Sequence, residues 1–296
     1  MGTYRYIEYE TVDDGAIAII SLNRPNQRNA QNRGLLIELG DAFETAEADD
    51  AVRVVVLRGN GPAFSAGHDL GSKDGQAERL PGPDQHPSYQ SHGATLSGAE
   101  ARWHQEWHYY FTNTRRWRDL RKTTIASVHG PVYAAGLMLM WACDLVVADT
   151  TATFADVVGT RMGMCGVEYF AHPWEFGARR TKEMLLTGDS IDAEEAHRLG
   201  LVSKVFTPER LREDTLAFAR RIAKVPTSAA LMIKEAVNQA QDIQGFQNAL
   251  QAAFTLHQLN HAHWSMASGG SSQIQTAALG APDPRESGKP MERSQA

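Results

Sequence analysis

Only two cysteines, Cys143 and Cys165, occur in 296 residues. That is too few for a disulfide framework, and a reducing compartment, the cytoplasm, is the expected location. Long apolar runs are also missing. The longest, residues 134–142, falls far short of the roughly 20 residues that a membrane-spanning helix needs, so no membrane association is expected. The first residues carry Glu8 and Glu10 and no apolar h-region, so no secretory signal is visible. Nor is there a basic excess: 29 Lys and Arg stand against 35 Asp and Glu, a net charge of −6. Wholesale nucleic-acid binding needs a basic stripe and is therefore not expected. A phosphorylated small ligand needs only a few local cations. Arg24, Arg28 and Arg33 would serve, or else are solvated surface charges. No repeat and no metal-ligand spacing stands out, and no bound metal is expected.

What the chain does have is 42% hydrophobic residues, enough to bury a sizeable core. Residues 15–22 read as a strand between Asp13-Asp14-Gly15 and Asn23-Arg24-Pro25. In residues 32–48 Leu35, Leu36, Leu39, Phe43 and Ala46 recur at helical spacing. Residues 53–58, 124–128, 145–148 and 202–206 read as further strands, with a buried helix over 137–142. Strands alternating with helices predict an α/β architecture. Residues 71–98 are rich in Gly, Pro, Ser, Gln and His and read as a long loop of the functional or disordered kind. After residue 208 the pattern turns helical, over 211–225, 228–241 and 246–264, and residues 268–296 form a polar tail expected to be disordered.

Two small-residue turns concentrate the chemistry. The first, residues 63–70 (Ala-Phe-Ser-Ala-Gly-His-Asp-Leu), follows the β-branched run Val54-Val55-Val56 and the breaker Gly59-Asn60-Gly61-Pro62. Ala66 and Gly67 let a ligand approach the backbone and leave the amides around His68 free to face developing negative charge. The second, residues 130–136, is Gly-Pro-Val-Tyr-Ala-Ala-Gly.

Four segments in order resemble the enoyl-CoA hydratase/isomerase (crotonase) superfamily, over about residues 8–265. Asn23-Arg24-Pro25 with Arg28-Asn29-Ala30 is similar to its coenzyme A loop, and residues 64–70 and 130–136 to its two oxyanion segments. Thr187-Gly188-Asp189 with residues 193–196 and 199–202 is similar to the segment before its C-terminal helices. The resemblance implies a ββα spiral core over 1–207, a C-terminal helical trimerisation region over 208–267, and a homotrimer or hexamer. It also implies an acyl-CoA or enoyl-CoA thioester as substrate, with no permanently bound cofactor. By motif position the oxyanion donors are the backbone N–H groups of His68 and Ala135, with the positive end of the helix near Gly136 adding to them. Gln27, Arg28, Ala30, Ala66, Gly67, Asp69, Leu70 and Gly136 are the expected ligand-contacting positions, Asp69 bracing its loop.

The resemblance breaks at the proton-transfer groups. The two positions where the family's hydratases carry glutamates fall on Met138 and Val158. Glu168 is the candidate replacement acid/base, its pKa expected to be raised by an apolar setting; the plainer reading is a charge at a helix start. Asp156 is a weaker candidate, with a cap or turn role as the alternative. The His68 imidazole is expected to be solvated or packed on its loop. Trp103, Trp107, Tyr109, Tyr110, Phe111 and Trp117 are expected in the core, walling the acyl pocket, and Cys143 and His172 read as packed residues. Phe246, Leu250, Phe254, Leu256 and Leu259 suit either a neighbouring subunit or the chain's own core. Enoyl-CoA hydration is the leading reading. Isomerisation or thioester hydrolysis with one carboxylate, and acyl-CoA binding without turnover, are the alternatives.

Overall fold

A computed structural model describes residues 4–78 and 98–267; the tail expected over 268–296 and most of the loop over 71–98 lie outside the described residues. Strands β1 (Ile7–Val12) and β2 (Ile17–Leu22) form an antiparallel hairpin whose turn uses positive φ at Asp13 and Asp14. Helix α1 (Arg33–Ala48) follows, started by Asn32, whose side chain accepts from the Leu35 N–H at 3.2 Å. It returns the chain to β3 (Val54–Gly59), parallel to β2. The short α2 (Lys73–Ala77) is capped by Ser72. Residues 98–118 run helically through α3 (Gly98–Glu106), a π-helical stretch Trp107–Thr112, and α4 (Asn113–Arg118).

The next elements alternate again: β4 (Thr123–Val128), β5 (Pro131–Tyr133), α5 (Ala135–Trp141), β6 (Leu145–Asp149) and β7 (Thr153–Ala155). Then come α6 (Val158–Met162), α7 (His172–Glu175), α8 (Ala178–Thr187), β8 (Ile191–Asp192), α9 (Ala193–Arg198) and β9 (Lys204–Phe206). One sheet has the order β1-β2-β3-β4-β6-β9, parallel except for the first pair; a smaller one has the order β5-β7-β8. This is the expected α/β class, with helices α10 (Leu211–Ala223), α11 (Thr227–Ile243) and α12 (Phe246–Ala267) after it.

Both faces of the large sheet are covered, which is why its central strands are continuous apolar runs rather than alternating ones. Ile17, Ile19, Val54 and Val56 point to the side closed by Leu211 and Ala219 of α10. Ala18, Ile20, Val55 and Leu57 point to the larger core built with Leu35, Leu39 and Phe43 of α1. The sequence reading missed β1, whose exposed face carries charge, and the strands of the small sheet, which at two or three residues are too short to show a period.

The last helices divide the candidate packing residues in two. Phe246, Leu250 and Phe254 are buried in the chain's own core, whereas Leu256 and Leu259 are exposed. Helix α11 buries none of its residues and presents Met232, Ile233 and Val237 outward. No helix among the described residues is long and apolar enough to cross a membrane.

Between β5 and α5 the chain turns at Ala134, with φ 50° and ψ −121°. An alanine held there costs on the order of 1–3 kcal/mol, which glycine avoids at the expense of about 0.4–1 kcal/mol of extra unfolded-state freedom. Ala134→Gly is therefore expected to stabilise the fold by about 1 kcal/mol and raise Tm by roughly 2 °C. A lower Tm in thermal unfolding would show that the turn carries no strain.

Candidate active site

The two turns meet. The Tyr133 N–H donates to Ser65 O at 3.0 Å and the Ser65 N–H to Pro131 O at 3.4 Å, joining the first turn to β5. On its other side the first turn pairs with the loop after β2: Ala66 N–H to Arg28 O at 3.0 Å, Gln31 N–H to Gly67 O at 2.8 Å, and Asp69 N–H to Gln31 O at 2.9 Å. Gln31, a residue the sequence reading passed over, ties all three strips together. Its buried amide donates to Ser65 Oγ at 3.1 Å and to Ala135 O at 2.9 Å.

Neither the His68 N–H nor the Ala135 N–H donates to a backbone carbonyl outside regular helix and strand bonding among the described residues. Gly67 is the reason the second amide stays open. A Cβ built on Gly67 would sit 3.2 Å from Ala135 N and 2.9 Å from Tyr133 O, and its φ of +96° disfavours any side chain. Gly136 is equally constrained, its Cβ position lying 2.3 Å from Ser65 O. Helix α5 begins at Ala135, so that amide belongs to a first turn with no intrahelical acceptor.

Glu168 is where the structure differs most from expectation. It lies not at a helix start but in an irregular segment between α6 and α7. Its setting is not apolar either. Glu168 is buried, and its Oε2 is 3.1 Å from His68 Nε2. Its Oε1 is 3.6 Å from His257 Nε2. Burial would push its pKa up, but the neighbouring His68 and His257 outweigh that and hold the carboxyl below its usual range. The His68 side chain, expected to be solvated or packed on its loop, is instead 13% exposed, bound to Glu168 and stacked on Tyr110 at 3.7 Å between ring centroids. Beyond His257, Glu106 and His261 extend the cluster: Glu106 Oε2 is 3.5 Å from His257 Nε2, and Glu106 Oε1 is 3.1 Å from His261 Nε2.

Asp156 takes the structural alternative. It is fully buried, and its carboxylate accepts from the Val158 N–H at 3.0 Å, the Val167 N–H at 3.1 Å and His172 Nε2 at 2.9 Å. Those bonds clamp the segment that carries Glu168 and leave Asp156 no exposed face for proton exchange. Met138 and Val158 are both buried apolar side chains. Burial pushes the Cys143 thiol up to about 12, as for an inert core residue. Of the aromatic group, Tyr109, Phe111 and Trp117 are buried, Tyr110 covers His68, and Trp103 is exposed.

The arginine cluster does not act together. Arg24 is buried, its guanidinium 2.8 Å from Asp69 and bonded to Ala30 O. Asp69 also accepts from the Ser72 N–H at 2.9 Å, so the pair holds the two loops together. Arg33 lies over the Tyr109 ring at 5.0 Å. Arg28 and Gln27 are exposed, Ala30 and Ala66 half-buried, and Leu70 is 46% exposed. Beside them a groove of about 440 Å³ is lined by Arg5, Asn26, Gln27 and Lys73 among others.

Comparison with known proteins follows the same lines. The family described as Enoyl-CoA hydratase/isomerase matches residues 13–92 and 84–272. A Mycobacterium tuberculosis protein bearing the name enoyl-CoA hydratase EchA13 is 66% identical over 280 residues, 95% of this chain and 88% of that protein. An Arthrobacter 4-chlorobenzoyl coenzyme A dehalogenase is 31% identical over 79% of this chain and 78% of its own length. Among solved structures, a Mycobacterium smegmatis protein bearing the name probable enoyl-CoA hydratase superposes with a TM-score of 0.78 at 41% identity, covering 89% of this chain and 98% of that one.

Gly67→Ala tests the site's construction. The added methyl meets Tyr133 O and Ala134 Cβ at 2.9 and 3.1 Å. A destabilisation of about 2–3 kcal/mol in denaturant unfolding is expected, from the forced positive φ and overpacking together. A change below about 0.5 kcal/mol, the range of neutral surface substitutions, would show that the two turns are not closely apposed.

Proposed function

The chain belongs to the enoyl-CoA hydratase/isomerase family, and on that premise we propose that it acts on an acyl-CoA or enoyl-CoA thioester, with Glu168 as the proton-transfer group. The thioester carbonyl oxygen accepts from the N–H groups of His68 and Ala135. Two fixed donors stabilise the negative charge that grows there when the α-carbon loses a proton or the β-carbon is attacked, with little reorganisation. Glu168 takes or returns the proton, and His68 orients it. Gln27, Arg28 and Ala30 hold the coenzyme A end beside the groove near Lys73, and Ala66, Gly67, Leu70 and Gly136 line the acyl end. Asp69 braces its loop through Arg24.

The observation that carries this reading is the His68–Glu168 hydrogen bond. It puts a carboxylate one side chain away from the first oxyanion donor, in a chain whose two hydratase glutamate positions hold Met138 and Val158. A single shuttle suits isomerisation, which moves one proton between carbons, and that is the second reading. Exposed Met232, Ile233, Val237, Leu256 and Leu259 on α11 and α12 support assembly of the helical region, residues 208–267, into a homotrimer or hexamer around cores spanning 1–207. Two free thiols suit a cytoplasmic setting.

The test is Glu168→Gln. With a 2-enoyl-CoA, loss of conjugated absorbance reads hydration, thiol release reads hydrolysis, and solvent deuterium at the α-carbon reads proton transfer. The variant is expected to lose at least about 100-fold in turnover, the lower end of acid/base contributions, with affinity for the CoA ester unchanged. Undiminished turnover removes Glu168 from the mechanism. A wild-type chain that binds CoA esters without any of the three reactions is a binding protein instead.

A further inference from the structure

The histidines are unevenly placed. Of eleven in the chain, His104 and His108 lie in the 98–118 helical run and His257, His261 and His263 in α12. We propose that Glu106, His257 and His261 bind one divalent transition-metal ion of the zinc type, in a site beside the proposed catalytic pair.

The ligand set is local in one part and long-range in the other. His257 and His261 are four residues apart and so share one face of α12, and α3 brings Glu106 to that face. One ligand atom from each lies within 4.8 Å of the other two. Ligands held 2.0–2.1 Å from a tetrahedral ion stand about 3.3–3.4 Å from one another. Glu106 reaches the two imidazoles with different oxygens, Oε2 at 3.5 Å from His257 Nε2 and Oε1 at 3.1 Å from His261 Nε2, each close to that separation. Glu168 Oε1 lies 3.6 Å from His257 Nε2, at the edge of this cluster.

A network of protons alone explains this arrangement less well. His257 Nε2 faces two carboxylates, yet both are beyond normal hydrogen-bond length, and this buried nitrogen has no hydrogen-bond partner among the described residues. Its other nitrogen is satisfied, Nδ1–H donating to Gly166 O at 2.8 Å. That is the outer contact which, in metal-bound histidines, fixes the tautomer and aims the free nitrogen at the ion. Glu106 is likewise held from outside, accepting from Gln258 Nε2 at 2.6 Å. Two buried carboxylates in one cluster call for compensating positive charge, which the imidazoles beside them supply when protonated and which a divalent ion on the same nitrogens would supply in place of those protons.

One contact must change on binding. Arg102 Nη1 lies 3.3 Å from His261 Nδ1 and is placed to donate to it, whereas an ion on Nε2 leaves a proton on Nδ1. Arg102 is half-buried, on a long flexible stem, and would have to turn away from the ring for the ion to bind.

The experiment uses the untagged full chain, stripped with chelator and titrated with Zn²⁺ by calorimetry, with metal content read by elemental analysis. One equivalent per chain is expected, and zinc at a hundredfold excess over its Kd should raise Tm by about 5 °C. Co²⁺ in its place should give the visible absorption of a four-coordinate site. His257→Ala and Glu106→Gln should each weaken binding by more than the roughly 10–100-fold that loss of an outer partner costs, while His263→Ala, exposed on the same helix, should leave it unchanged. A wild-type chain that takes up no stoichiometric zinc overturns the proposal, as does uptake that survives both Glu106→Gln and His257→Ala. If the alanine variant fails to fold, wild-type stoichiometry and Glu106→Gln decide. None of these readouts depends on turnover, so they stand apart from the fate of the catalytic reading.

Discussion

The site depends on one seam of hydrogen bonds. Residues 65–69 are held on one side by the loop at 28–31 and on the other by β5, with the Gln31 amide bridging to Ala135 O. A loop held on both edges cannot relax to satisfy its own polar groups. The amides of His68 and Ala135 make no backbone hydrogen bond outside regular helix and strand bonding among the described residues, and Gly67, with φ of +96°, leaves no Cβ against Ala135 N. The buried Arg24–Asp69 pair secures the same seam from below. Breaking one partner of such a pair leaves an uncompensated buried charge, at a cost of about 3–5 kcal/mol. The loops at the site are therefore tied to one another through their buried charges and amides.

The electrostatics around Glu168 follow from what surrounds it rather than from its burial. In an apolar pocket a buried carboxyl is driven toward its neutral form, but here imidazoles on two sides reverse the sign. Asp156 does the mechanical part of the task. By accepting from Val158, Val167 and His172 it clamps the irregular segment, so that Glu168 faces His68 without a helix to place it.

Helix α12 joins two jobs that the sequence presents as separate. Its Phe254 packs against Phe111 and Trp107, and one and two turns further on His257 and His261 meet Glu106. Packing the aromatic side chains brings the imidazoles into register with the carboxylates, so the same helix closes the core and completes the polar cluster next to the active-site candidate.

Much of the fold was legible in the chain itself. The central strands, the α1 face with Leu35, Leu39 and Phe43, the C-terminal helices and both small-residue turns each carry a local signature of period, propensity or breaker residues, and they are where that signature puts them. That Met138 and Val158 are apolar was equally readable, because it is a matter of which residue stands at a position. The partners of Glu168 were not. His68 is 100 residues away in sequence, and His257 and Glu106 come from two further segments, so no spacing records the contact. A lone glutamate in a Gly- and Met-rich stretch looks apolar in sequence, and only packing shows that histidines surround it. The sequence by itself determined the central strands, the longer helices and the two turns, because those rest on local backbone preferences. Tertiary structure alone decided the charge, burial and neighbours of Glu168, because electrostatic interactions act across space and leave no trace along the chain.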